Sequence, residues 1–138
     1  MKPLWSASLG SRSPSFAPPV ADGERSYLLC EDYLAAHDLA DGAERWRVPH
    51  PEGHRAGWVF MEVGELLVSE FRKGRARASE LCVHDRSGRL LRRHTIADFR
   101  YDRVAALGSC FYFARTIAKA QLLGVLDVVG GELAQVPM

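Results

Sequence analysis

The chain has 138 residues, about one ordinary domain, and its 47% hydrophobic and 25% charged residues exclude disorder and collagen-like structure. A formal net charge of +1 supplies no whole-molecule field toward nucleic acid or an anionic membrane, so such binding would need a local patch. The N-terminus has Lys2 but no apolar run long enough for a signal-peptide core, and no later segment reaches membrane-spanning length, so a soluble cytoplasmic protein is expected.

Strand signals dominate from start to end: short runs rich in β-branched and aromatic residues, bounded by turn formers. In a first unit, Pro18-Pro19-Val20-Ala21 reads as a strand whose prolines suit only an edge or a strand start, because Pro cannot donate to a ladder. Asp22-Gly23 turns, and Ser26 to Cys30, Tyr33 to Leu39 and Glu44 to Val48 complete four strands. A second unit places strands at Trp58 to Val63, Glu65 to Arg72, Ala78 to Asp85 and Leu90 to Thr95, with Lys73-Gly74 at a hairpin tip. In a third unit they run from Asp102 to Leu107, Cys110 to Thr116, Gln121 to Val128 and Glu132 to Val136. The segment Thr116 to Leu126 also fits a helix, with Ile117, Gln121, Leu122 and Val125 on one face, but Gly124 inside it and the repeat phase favour strand.

The three units share a signature. Alternating apolar runs end in Asp38, Asp85 and Asp127, and each Asp is followed within four residues by a glycine, Gly42, Gly88 and Gly131. From 38 to 85 is 47 residues and from 85 to 127 is 42, the spacing of a four-stranded propeller blade rather than of a helical repeat. The expected fold is therefore all-β, a partial β-propeller of about three four-stranded antiparallel blades in one domain over 1–138. The blades fall at approximately 1–48, 49–95 and 96–138. Asp at a strand end accepts hydrogen bonds from turn amides, Gly takes a positive φ, and Trp46 on the outer strand offers a large apolar face. These are structural roles, and none of them is catalytic.

The segment Ala36-His37-Asp38-Leu39-Ala40-Asp41-Gly42-Ala43-Glu44-Arg45-Trp46 resembles the repeat of PQQ-like, quinoprotein-type β-propellers, with a general likeness to WD40 repeats. Trp5, Gly10 and Pro18 to Gly23 fall where that repeat places Trp, Gly and its first strand. The second unit keeps Asp85 and Gly88 with Arg92 near the Trp position; the third keeps Asp127 and Gly131 with Gln135 there. The resemblance implies that Leu4 to Ser8 is the outer strand of a blade whose other strands are absent. Propellers typically close with about four to eight blades, so three would leave the first and last sheets exposed, an apolar area that soluble monomers avoid. The expectation is a ring completed by a second copy, with a homodimer favoured, or by a partner chain.

Among candidate sites, Arg72, Lys73, Arg75 and Arg77 form the densest positive cluster, with Arg86, Arg89, Arg92 and Arg93 following. A solvated hairpin tip that protects a sheet edge explains it, as would an acidic protein partner; an anionic ligand or nucleic acid is the less favoured reading, because the segment has no interleaved aromatics. His50 and His54 have metal-like spacing, but Pro51 and Gly53 argue for a loop and no third ligand is in evidence, so no metal is expected. Cys30, Cys82 and Cys110 lie in or at the start of apolar runs and read as small buried hydrophobes. No nucleophile elbow and no phosphate-cradling loop occurs. An active quinoprotein would, by the same resemblance, need a full ring, an adjacent Cys pair and acidic calcium ligands. The reading is therefore a non-catalytic scaffold for protein–protein interaction with no cofactor; the alternatives are a piece of a quinoprotein-type oxidoreductase and a binder of anionic ligands or nucleic acid.

Overall fold

The computed structural model describes residues 17–75 and 77–137. The sequence readings on Trp5, Gly10 and the strand from Leu4 to Ser8 lie outside the described residues. Twelve strands form three four-stranded sheets, each an antiparallel meander in sequence order, and no helix occurs among the described residues. The first sheet holds β1 (Val20–Ala21), β2 (Arg25–Leu29), β3 (Tyr33–Asp38) and β4 (Glu44–Pro49). The second holds β5 (Arg55–Val63), β6 (Leu66–Arg72), β7 (Ala78–His84) and β8 (Leu90–Ala97). The third holds β9 (Phe99–Leu107), β10 (Cys110–Ile117), β11 (Ala120–Asp127) and β12 (Leu133–Pro137). The first strands approach one another in turn, β1 to β5 and β5 to β9, so the sheets stand as consecutive blades of a partial β-propeller.

Alternation decides which side chain faces which neighbour. Tyr27, Leu29, Leu34 and Ala36 of the first sheet meet Phe60, Leu67, Phe71 and Cys82 of the second. On the other side of the second sheet, Val68, Leu81 and Val83 pack against Phe111, Phe113 and Leu126 of the third. Tyr27, Phe71, Phe111 and Phe113 are fully buried, and each such side chain stabilises the fold by about 1.5–3 kcal/mol.

Strand bounds differ from the sequence reading where local chemistry intervenes. Pro18 and Pro19 stay outside the ladder because they lack an N–H, so β1 begins at Val20. Strands β5 and β9 begin earlier than expected, at Arg55 and Phe99, because each carries a register shift that keeps the segment before the shift paired. The helical alternative for Thr116 to Leu126 is replaced by a hairpin: β10 turns through Ala118 (φ 49) and Lys119 (φ 69) and returns as β11. Gly124 makes that return strand fit, since a β-carbon there would lie 2.2 Å from the Phe113 ring.

Candidate functional site

The repeat aspartates close equivalent turns in different ways. Backbone bonds from Gly42, Gly88 and Gly131 N–H reach the Asp38, Asp85 and Asp127 carbonyls at 2.9, 3.1 and 2.7 Å. Asp85 Oδ1 accepts the Ser87 N–H (2.9 Å), the Ser87 hydroxyl (2.6 Å) and the Arg89 N–H (3.0 Å). Asp127 Oδ1 accepts Val129 and Gly130 N–H at 3.0 and 3.1 Å. The Asp38 carboxylate instead pairs with Arg45 Nε at 2.7 Å, with Arg25 Nε at 3.9 Å, and the turn amide of Ala43 goes to Asp41 Oδ1. Burial opposes charge on Asp85, but the Ser87 and Arg89 contacts outweigh it and hold the carboxyl below its ordinary range.

Two of these glycines, Gly88 and Gly131, receive the outer strand of the preceding blade. Trp46 of β4 packs on Gly88, and its Nε1 donates to the Arg86 carbonyl at 2.8 Å. Arg92 of β8 packs on Gly131, and its guanidinium donates to the Val129 carbonyl at 2.8 Å. In both junctions the accepting carbonyl lies two residues before the glycine, so the Arg at the second unit's Trp position performs the same inter-blade contact.

At the opposite end of the blades, the fully buried carboxylate of Glu70 organises the basic turn. Its Oε1 accepts the Trp58 N–H (2.8 Å), and its Oε2 accepts the Ser79 hydroxyl (2.6 Å) and the Arg72 guanidinium (2.9 Å). Gly57 is obligatory beside it, because a β-carbon would fall 2.6 Å from the carboxylate. Trp58 stacks on Tyr101 with centroids 5.2 Å apart and planes at 21°, and the Arg72 guanidinium stands 5.5 Å from the Tyr101 ring. The sequence cluster of Arg72, Lys73, Arg75 and Arg77 is thus joined by two aromatics from other strands, which no local motif could have announced.

His50 and His54 serve different partners: His50 Nε2 donates to the Cys30 carbonyl (2.6 Å), and His54 Nε2 meets Glu80 Oε2 (2.9 Å), which Arg93 also holds. The side-chain bonds from Arg93, followed by smaller contributions that include His54, keep the Glu80 carboxyl below its usual range. No cluster of three or more metal-ligating side chains occurs among the described residues. Cys30 and Cys82 are buried and Cys110 is half-buried, all as free thiols. Burial pushes the Cys82 thiol up to about 12, which suits an inert core group. A cleft of about 210 Å³ between the first and second sheets is lined by Val48, His50, Cys82, His84, Leu90 and Arg93 among others.

Exposure of the two flanks is one-sided. The outward residues Cys30, Tyr33 and Ala35 of the first sheet are buried, with the Arg47 guanidinium 3.8 Å from the Tyr33 ring centre. The outward face of the third sheet is open: Tyr112, Ala114, Leu123 and Val125 are half-buried, and Leu107 and Val136 are 75% and 46% exposed. A shallow depression of about 310 Å³ runs over it between Arg103, Val104, Ala105, Tyr112 and Leu123.

No family model matches the chain, and no curated protein matches it in sequence. Among solved structures, the chain is similar to a prolyl endopeptidase from a study of inter-domain dynamics in catalysis and specificity, with a TM-score of 0.65 and 18% identity over 86% of this chain and 19% of that one. It also aligns with BamB from Moraxella catarrhalis at a TM-score of 0.44 and 12% identity, over 94% of this chain and 51% of that one. Both neighbours are β-propeller proteins, and at these identities the first likeness speaks for the fold alone. The chain spans about one fifth of the first neighbour and about half of the second.

Proposed function

We propose that this propeller wedge is a non-catalytic binding scaffold that completes itself against another protein surface through the open face of its third sheet. The observation that carries this reading is the contrast between flanks: Tyr33 and Ala35 are buried, whereas Tyr112, Ala114, Leu123 and Val125 are half-buried and Val136 is exposed. Two apolar sheet faces pack at about 10 Å, and the junctions already present between the blades are contacts of that kind. The partner proposed is a second copy, because a twofold sets the same face of each chain against itself and covers both at once. A different chain supplying a blade is the runner-up. The finer family assignment, a PQQ-like repeat, rests on Ala36, Asp38, Gly42 and Trp46. Support for a role without chemistry is that the repeat acids are engaged: Asp85 and Asp127 in turn caps, Asp38 with arginines.

Light scattering at micromolar concentration tests the reading. A dimer mass for the native chain, reduced to monomer by Leu123→Glu with Val136→Glu, is the expected result. A native monomer whose thermal stability does not change with concentration would exclude self-association. Cross-linking that maps contacts only to the first sheet would remove the third-sheet face as the docking surface.

A further inference from the structure

We propose that the end of the wedge formed by Trp58, Tyr101 and the turn carrying Arg72, Lys73, Arg75 and Arg77 binds single-stranded nucleic acid, with a base against the aromatic pair and phosphates on the cations. Two first strands, β5 and β9, each break register at this end, between Ala56 and Phe60 on β5 and opposite Phe113 and Ala114 on β9. Bulges of this kind re-aim side chains, and here Trp58 and Tyr101 fall within the two shifted segments. The rings stack on one another yet remain 41% and 44% exposed, although aromatics of this size ordinarily go to the core. Glu70 accepts the Trp58 backbone amide and binds Arg72, whose guanidinium lies 5.5 Å from the centre of the Tyr101 ring.

The cations lie at the same end. Arg55 sits opposite Arg72 in the ladder, Lys73, Arg75 and Arg77 follow on the exposed turn, and Arg100 and Arg103 are exposed on β9. The acids of this end are Glu31 and Asp32 on the β2–β3 turn, Glu52, Asp98, and Asp102, which lies 3.6 Å from Arg100, while Glu70 and Glu80 are paired with Arg72 and Arg93. Asp38, Asp41, Asp85 and Asp127 belong to the turns of the other end, where Arg25, Arg45, Arg86 and Arg89 also lie. An acidic peptide would need only the cations. The exposed ring pair adds a platform for a flat unsaturated ring, and bases present such faces when they are unpaired. The basic segment itself has no aromatics, and the fold brings them to it from β5 and β9.

Fluorescence anisotropy with labelled oligothymidylate and oligouridylate tests the site, with a same-length duplex and polyglutamate as competitors. The expected result is binding of a single strand that weakens steeply between about 50 and 200 mM salt. Comparison of the two oligonucleotides reports which sugar is preferred. Trp58→Ala and Tyr101→Ala are each expected to weaken binding by about tenfold. Trp58→Phe should retain most of it, and Lys73→Glu with Arg75→Glu should flatten the salt dependence without altering the β-sheet circular dichroism. Absence of binding, equal affinity for the duplex, or equal competition by polyglutamate would overturn the proposal. So would an unchanged affinity in folded Trp58→Ala. None of these readouts depends on the third-sheet face, so loss of dimerisation leaves this test intact.

Discussion

Trp46 fills the space where Gly88 would carry a side chain: a β-carbon on Gly88 would lie 2.8 Å from the indole, whose Nε1 donates to the Arg86 carbonyl at 2.8 Å. The corresponding partner of Gly131 is the flexible guanidinium of Arg92, 2.6 Å from where a β-carbon on Gly131 would lie. Both glycines have positive φ, 88 and 80, so alanine is strained at either. Only at Gly88 does a rigid ring stand in the way. Gly88→Ala is expected to cost roughly 2–4 kcal/mol and Gly131→Ala about 1–2 kcal/mol. Urea titration of the two variants checks the order; equal losses would mean that the Trp46 contact yields as readily as the Arg92 contact.

Glu70 has no exposed surface and satisfies three donor groups, so its removal strands Arg72 next to an emptied buried site. Glu70→Ala is expected to destabilise by about 3–5 kcal/mol. Glu70→Ala with Arg72→Met should be milder than Glu70→Ala alone, since the orphaned charge is gone. The double-mutant cycle is measured by denaturant unfolding, and a double variant worse than the single would show that packing rather than charge dominates there.

The blade architecture was legible because its signals are local and periodic. Asp38 and Asp127 end inner strands and Asp85 directly follows one, a glycine comes three or four residues later, and alternation along Leu67 to Phe71 fills two cores at once. The Trp58–Tyr101 pair was not legible: the residues are 43 positions apart and meet only because two bulges occur at neighbouring sheet ends. The covering of Tyr33 and Ala35 was equally hidden, since alternation marks them as apolar without saying which flank stays open. Periodicity also left Thr116 to Leu126 ambiguous, because its turn uses Ala118 and Lys119 where Asn and Gly would have signalled a hairpin.

That turn offers a simple gain. Both central residues adopt the left-handed region without the residues that favour it, at φ 49 and 69. Ala118→Asn with Lys119→Gly is expected to stabilise the chain by about 1 kcal/mol, through relief of strain in the folded hairpin. Thermal melts should show a rise in Tm; a fall would mean that the lysine side chain contributes more than its backbone costs.

His84 lies buried in the cleft between the first two sheets, and burial is the main reason its pKa is lowered to about 4, with a smaller contribution from His50. Asp85 raises it only in part. The fold therefore prefers the neutral ring, while the unfolded chain takes up a proton near pH 6.5. Stability from this group is complete above about pH 6.5 and is lost progressively as pH falls toward about 4, by on the order of 3 kcal/mol in all. Burial also lowers the pKa of His50 and His94, so part of the slope belongs to them. Urea midpoints at about pH 7 and pH 5 should differ clearly in the native chain and less in His84→Gln. An identical pH slope in that variant would assign the titration to the other two histidines. The carboxylates of Asp22, Asp85 and Glu80, held below their usual range, add their losses only at lower pH still.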